Sequence, residues 1–501
     1  MCYSHEPMRL SLPWFLGVSI CIIFVALFLR LAPISNESVD GDEMFSRHVA
    51  MSEASRALNL VRQDLVHPPL YYLLLKETLP KGSPAFALDI RFLSLAAGVA
   101  SIMIVILAGS LVAPLRGPAI LAAFLLALNK THIFYSQQAR SYALFCFLAG
   151  MLLLWGLLLD RYERDWMYWL AGTTLMTALL YTHYFGAFYC AAVILPVVLA
   201  KSPKRLKILA VASGVFAFTV FLPWVYQEVP VYRGKSGISS ILAWQGLPTF
   251  FNLKMTFADD VGILDFRGAT SLAFLIGAVL ICCALLLPNS RNEEEVLNFR
   301  IRLTLALTAL MPPVLMFVLT WRPLRLPIFG ERHVLPSMAA TLLLVSYGLW
   351  RLAARASKPL RVLVLVIGAI ILSVFQALPV WSNWPGPSRE PYAVIADWLE
   401  HTDLNLPVYT TWPYGIGEPV AFYLERSRQI DELPGCTPNG QCTTDDPMKL
   451  PDRFIVLYRP AAQEEDYAVH SLLNRFSITE EKYYSAHNSR WGTRLLVLQE
   501  R

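Results

Sequence analysis

The chain has 501 residues, of which 55% are hydrophobic and only 16% charged. Soluble globular domains carry roughly 25% charged residues, so the deficit, spread over repeated apolar runs of about 17–22 residues, excludes an ordinary soluble enzyme and indicates a multi-pass membrane protein. The net charge of +5 does not point to nucleic acid, because the basic residues sit in short loops between apolar runs and follow a topological rule.

In chain order, about eleven candidate spans can be placed, at roughly 10–31, 88–111, 117–133, 141–159, 166–182, 184–200, 207–227, 269–287, 303–321, 334–350 and 362–381. The first is too long for a signal-peptide core and lacks a small-residue cleavage pattern, so it reads as a retained span. With a cytoplasmic N-terminus, the inside loops hold Arg116, then Arg161 and Arg164, then Lys201, Lys204, Arg205 and Lys207. They continue with Arg291, Arg300 and Arg302, and end with Arg351, Arg355, Lys358 and Arg361. Every inside loop is then basic, as the positive-inside rule asks. The loop after the first span and the tail after about residue 382 fall outside.

Ser38-Val-Asp-Gly-Asp-Glu43 follows the first span directly. Asp40, Asp42 and Glu43 would suit a solvated helix N-terminus, and they would equally suit an acid–base site at the membrane surface. Phe45 to Leu60 has helical spacing of apolar and polar positions and predicts a helix along the membrane surface. Val66-His67-Pro-Pro-Leu-Tyr-Tyr72 predicts His67 at the start of a short apolar helix, since two prolines begin a helix but cannot continue one. There it could bind phosphate, ligate a metal or cap.

Several cations stay on the outer side against the insertion bias: Lys76, Lys81, Arg91, Arg140, Arg322, Arg325 and Arg332. Snorkelling to headgroups accounts for Lys81 and Arg322. Arg140 lies in Tyr135-Ser-Gln-Gln-Ala-Arg-Ser-Tyr142, with Gln138 beside it, and Arg332 precedes His333 in Phe329-Gly-Glu-Arg-His-Val-Leu-Pro336. Polar clusters of this kind at a membrane edge point to function. Tyr181-Thr-His-Tyr184 marks another outer edge, where tyrosines serve as interfacial anchors. The loop 228–268, with Trp244, Lys254, Asp259 and Asp260, is long enough for a lid or an acceptor-binding loop.

The tail has ordinary polarity. Tyr392–His401 reads as an amphipathic helix, and Val408–Thr410, Phe454–Tyr458 and Leu495–Leu498 read as strands of a small α/β domain. Cys436 and Cys442 would be able to pair there if the tail is extracytoplasmic. The expected organisation is thus a transmembrane domain over 1–381, with an outer catalytic loop at 32–87, and an extracytoplasmic α/β domain over 382–501.

Outward cations, a carboxylate and access to lipid suit transfer from a lipid-phosphate donor. Cations stabilise the charge growing on the leaving group, and the carboxylate takes the acceptor's proton. A monophosphate held by arginines does not strictly require a divalent metal, so no cofactor is fixed. The acidic pair after the first span, His-Pro-Pro-Leu-Tyr-Tyr, Tyr-Ser-Gln-Gln-Ala-Arg-Ser-Tyr-Ala-Leu, Tyr-Thr-His-Tyr-Phe and Arg-His-Val-Leu-Pro together resemble the bacterial membrane glycosyltransferases of family 39. This is the protein-mannosyltransferase and aminoarabinose-transferase branch of the C-type superfamily. The resemblance covers about residues 10–350, and the tail is only loosely similar.

It implies a helical polytopic fold, a polyprenyl-phosphate sugar donor, inversion at the anomeric centre and an essential acid at Asp42, with Glu43 supporting it or helping bind a metal. It also places His67 near the lipid phosphate, while Arg140 stands where several relatives carry a second acid. Arg140, Arg332, His333 and Gln138 are the other candidate phosphate-binding residues. The acceptor would be an envelope glycan, lipid or protein. A transporter or lipid flippase is the alternative, against which stand the lack of an inverted repeat and of paired broken helices.

Overall fold

The computed structural model describes residues 12–34, 38–80, 87–234, 247–261, 267–288, 296–321, 328–381, 391–402, 406–411, 416–424, 429–433, 450–458, 469, 472–484 and 493–501. Lys81, Trp244, Arg322, Arg325, Cys436 and Cys442 lie outside the described residues. The chain divides into two compact units: Met1–Leu31, Glu53–Thr78 and Arg91–Asn383 form one, and Ala32–Ser52, Leu79–Ile90 and Trp384–Arg501 the other.

The first unit is helical. Its elements are α1 (Leu12–Leu31), α3 (Ala54–Asp64), α4 (Leu70–Thr78), α5 (Ala87–Leu111, whose first residues belong to the second unit) and α6 (Arg116–Leu128). They continue as α7 (Lys130–Ser136), α8 (Tyr142–Leu158), α9 (Trp166–Thr182), α10 (Gly186–Leu199) and α11 (Lys204–Gly234). The series closes with α12 (Phe250–Val261), α13 (Arg267–Leu286), α14 (Phe299–Trp321), α15 (Glu331–Val334), α16 (Met338–Ala353) and α17 (Lys358–Trp381). Each of the segments expected to span the membrane is helical. Among the described residues, six helices are long and apolar enough to cross a membrane, and the bent pair Ala113–Leu128 and Lys130–Ser136 would make a seventh crossing. The protein is a multi-pass membrane protein.

Many basic residues assigned to the inside loops serve the same local purpose. A helix leaves its last carbonyls without intrahelical donors, and a cation there also meets the negative end of the dipole. Arg300 donates to the Gly156 carbonyl at 2.6 Å and pairs with Asp160 at 2.8 Å, closing the end of α8. Arg351 donates to the Ala284 and Leu287 carbonyls at 3.0 and 2.7 Å, closing α13, and Lys207 reaches the Val198 carbonyl of α10 at 2.7 Å. Close packing of α13 on α16 needs Gly348, where a Cβ would fall on the Leu280 carbonyl.

The second unit carries a five-stranded mixed sheet in the order β2-β1-β3-β5-β4: β1 (Val408–Thr410), β2 (Ile430–Glu432), β3 (Arg453–Tyr458), β4 (Phe476–Tyr484) and β5 (Thr493–Glu500). Two-residue alternation along β3 sends Ile455 and Leu457 to one core with Val408, Leu495 and Val497. Phe454, Val456 and Tyr458 face another core with Phe476, Leu496 and Leu498. The helix α18 (Tyr392–His401) covers the first face through Tyr392, Ile395 and Leu399. A further helix, α19 (Glu418–Tyr423), completes that side.

One expected helix is two. Instead of a single helix over Phe45–Leu60, α2 (Gly41–Met51) ends at Ser52 and α3 begins at Ala54, and the break separates the two units. Ser52 is extended, its Oγ donates to the His48 carbonyl at 2.9 Å and its N–H to the Val49 carbonyl. A short polar side chain of this kind competes with helix continuation.

Candidate functional site

In the helical unit, His67, Arg140, His183, Arg332 and His333 come together from four separate stretches of sequence. Leu65, at the C-terminus of α3, has φ 62°, the left-handed conformation that costs a non-glycine residue about 1–3 kcal/mol. That turn delivers His67, buried, just ahead of the Pro68–Pro69 start of α4. Arg140 lies in the turn before α8, its backbone held by the Ser94 hydroxyl, which donates to its carbonyl at 3.1 Å. Its guanidinium donates to His67 Nδ1 at 3.3 Å.

His183 ends α9. Its ring stacks on Phe145 with centroids 4.7 Å apart and meets the rings of His67 at 5.1 Å and His333 at 5.4 Å. Arg332 lies over the Tyr142 ring at 5.8 Å, and Tyr142 packs edge-on against His67 at 5.3 Å. Tyr189, inside α10, hydrogen-bonds Ser337 at 3.2 Å and donates to the His333 carbonyl at 3.4 Å, fixing the start of α16.

Hydrogen bonding fixes the tautomers. Because a guanidinium only donates, His67 Nδ1 accepts and its proton is on Nε2. His183 Nδ1 accepts from the Phe185 N–H at 3.3 Å, so its proton is on Nε2 too. His333 Nδ1 faces the Ile328 carbonyl at 2.8 Å and must donate, which leaves a lone pair on Nε2. Burial pushes the His67 imidazole well below its ordinary pKa, and Arg140 adds to the effect; burial and then the neighbouring His333, Arg332 and Arg140 do the same to His183. Both are neutral at pH 7. The charge here belongs to the arginines.

In the second unit, Asp40, Asp42 and Glu43 open α2. Asp40 Oδ1 accepts from the Glu43 N–H at 2.8 Å and Glu43 Oε2 accepts from the Asp40 N–H at 3.2 Å, a complete capping box. Glu43 is buried by this arrangement, while Asp42 is exposed. Adjacent acids therefore differ in use: the outer two form the capping box and the middle one is exposed. The approach to α2 is tied to the C-terminal residues, since the Val39 N–H donates to Tyr423 Oη at 2.7 Å and the Ala393 N–H to Ser38 Oγ at 3.2 Å. Arg47 lies over the Phe422 ring at 5.6 Å.

The motif around Arg140 divides between two tasks. Gln137 donates to the Arg30 carbonyl at 2.9 Å and Ser136 accepts from Arg30 Nε, so these belong to the helix framework, whereas Arg140 and Tyr142 join the histidines. Gln138 is half-buried, its carbonyl accepting from the Arg140 N–H at 2.8 Å. Two residues carry no expectation from sequence and matter here: Tyr423, whose role requires the folded tail, and Glu228, which accepts a hydrogen bond from Tyr184 next to His183. An acid beside Pro230 at the end of an apolar run was the signal for Glu228. Among the described residues, no three His, Cys, Asp or Glu side chains group as metal ligands.

No protein-family model and no curated protein matches the sequence. Solved structures do match the fold. ArnT from Cupriavidus metallidurans in the apo state superposes with a TM-score of 0.56 at 12% identity, covering 96% of this chain and 97% of that one. The same protein bound to undecaprenyl phosphate matches with a TM-score of 0.54 at 12% identity, over 97% and 98% of the two chains. An archaeal oligosaccharyltransferase, AglB from Archaeoglobus fulgidus, gives a looser likeness: TM-score 0.44 and 13% identity, covering 83% of this chain and 64% of that one. The polytopic helical unit and the smaller α/β unit together thus have the fold of ArnT over nearly the whole length of both chains.

Proposed function

We propose that the chain is an integral-membrane glycosyltransferase that moves a sugar from a polyprenyl-phosphate-linked donor to an envelope glycan, lipid or protein. It works at the outer face of the bacterial inner membrane, with the N-terminus cytoplasmic and the domain 382–501 extracytoplasmic. The observation that carries the reading is the gathering of Arg140 and Arg332 with neutral, tautomer-fixed imidazoles, in a fold shared with an ArnT structure that holds undecaprenyl phosphate.

In this reading Arg140, Arg332, His67, His333 and Gln138 hold the donor phosphate. An acceptor hydroxyl or amine attacks the anomeric carbon, and Asp42 takes its proton. The bond from that carbon to the phosphate oxygen breaks, and its electron pair leaves with the polyprenyl phosphate. The guanidinium groups stabilise the charge that grows on the departing phosphate. Attack opposite the leaving group inverts the centre. Exposure of Asp42 supports its role as base, since an acceptor can approach it from solvent. Glu43 supports it by fixing the first turn of α2.

The test is lipid mass spectrometry on cells lacking the native copy and expressing wild type or Asp42→Asn. A polyprenyl-phosphate sugar that accumulates only with the variant supports transfer and identifies the sugar. Full transfer by both Asp42→Asn and Arg332→Ala at saturating donor would overturn the reading.

A further inference from the structure

The two ring nitrogens of the buried His183 imidazole are in different situations. The residue is 3% exposed, and no hydrogen-bond partner lies within reach of its Nε2 among the described residues. The Phe185 N–H occupies Nδ1, so the proton must be on Nε2 and the ring cannot exchange tautomers without breaking that contact. Stacking on Phe145 and edge contacts with His67 and His333 hold the ring plane. A buried donor without an acceptor is unfavourable, and natural sequences retain one where something supplies the acceptor. The Phe185 N–H accounts for Nδ1 alone and leaves the Nε2–H unexplained.

The surroundings say what the acceptor is. The groups whose charge reaches His183 are Arg332 and Arg140, beside the imidazole of His333. An acceptor placed among them gains by being negative, and oxyanions are what guanidinium groups bind by paired hydrogen bonds. A neutral imidazole adds a directed donor without adding a third charge to the buried cluster. Building on the donor-phosphate reading above, we propose that His183 is a phosphate-binding residue, its Nε2–H donating to a non-bridging oxygen of the lipid-linked phosphate. The chemistry recognised is a phosphate monoester or diester oxygen, carried either by the lipid or by free phosphate.

The experiment measures binding of farnesyl phosphate, inorganic phosphate and farnesol to the full-length protein in detergent, for wild type, Arg332→Ala, His183→Phe, His183→Gln and His183→Asn. Wild type is expected to bind farnesyl phosphate best, inorganic phosphate less well and farnesol least. His183→Phe should weaken both phosphates about tenfold or more and leave farnesol unchanged. Gln places an N–H near the Nε2 position and Asn near Nδ1, so His183→Gln should bind farnesyl phosphate more tightly than His183→Asn. If Arg332→Ala loses phosphate while His183→Phe binds it like wild type, His183 is a packing residue and this inference fails alone. If His183→Phe does not fold, the Gln and Asn variants decide, and equal binding by the two overturns the proposal. Wild type with no preference for farnesyl phosphate over farnesol would instead remove the donor-phosphate reading itself.

Discussion

Among the described residues of the helical unit, the arginine–histidine groups around Arg30 and around Arg140 are built alike but finished differently. Arg30 has five N–H donors, and its guanidinium makes five contacts: the Ser136 hydroxyl at 3.3 Å, the carbonyls of Ala26, Ala127 and Leu126 at 3.1, 3.1 and 3.5 Å, and His132 Nδ1 at 2.8 Å. That set ties α1 to the end of α6, where the chain bends by 65° at Asn129 before α7. The other group has Arg140 against His67, Arg332 over Tyr142, and an N–H on His183 that has no partner among the described residues. A saturated buried cation is architecture, because any ligand would have to displace a bond already made. A group with a donor left over is a place for a ligand.

The comparison breaks most visibly under paired substitution. Arg30→Ala removes all five of these contacts, and should destabilise the helical unit by about 3 kcal/mol or more, read as a fall in melting temperature in detergent. It should leave the preference for farnesyl phosphate over farnesol intact. Arg332→Ala should do the reverse, reducing sugar transfer about a hundredfold with little change in melting temperature. Loss of phosphate preference in Arg30→Ala without loss of stability would make the saturated group a site as well.

A smaller effect comes from pH. His67 and His183 have pKa values held well below their ordinary value in the fold, so the folded protein stays neutral at these positions where the unfolded chain takes up protons. Stability contributed this way is fully present above about pH 6.5 and is lost as pH falls, by at most about 1.4 kcal/mol per pH unit for each group. Melting temperature should therefore drop between pH 7 and 5, and His67→Gln should make that drop shallower. An unchanged slope in His67→Gln would mean that folding does not lower the pKa of His67.

Much of this was legible in the sequence, and the exceptions have physical causes. Long apolar runs and basic short loops fix the helices, and the loop cations do more than orient them, since Arg300, Arg351 and Lys207 close helix ends. The motifs at 67, 140 and 332 converge in the structure. His183 was visible only as part of a tyrosine-rich edge, because its significance lies in a tautomer set by the Phe185 backbone. The edge strand β4 carries Glu480, Glu481 and Lys482 in succession, a charged run that masks it as a strand. The break at Ser52 was hidden because apolar spacing continues across it. The pairing of α2 with the tail was beyond any local pattern, since Val39 and Tyr423 are 384 residues apart. Tyr423→Phe removes that bond and should cost about 1 kcal/mol, read as faster amide exchange at Val39.

The smallest stability effects separate the three acids of α2, and with them base from scaffold. Asp40→Ala removes the cap and should weaken the first turn by about 1 kcal/mol, with faster exchange at the Glu43 amide. Glu43→Gln should cost less, because a glutamine at the third helical position completes a capping box as glutamate does. Asp42→Asn lies outside the box, so it should leave that exchange unchanged and yet remove transfer. The base is therefore expected where substitution is silent in structure and loud in chemistry. If Glu43→Gln keeps the exchange pattern and abolishes transfer while Asp42→Asn remains active, the proton goes to Glu43 and the exposed acid is only a helix-end charge.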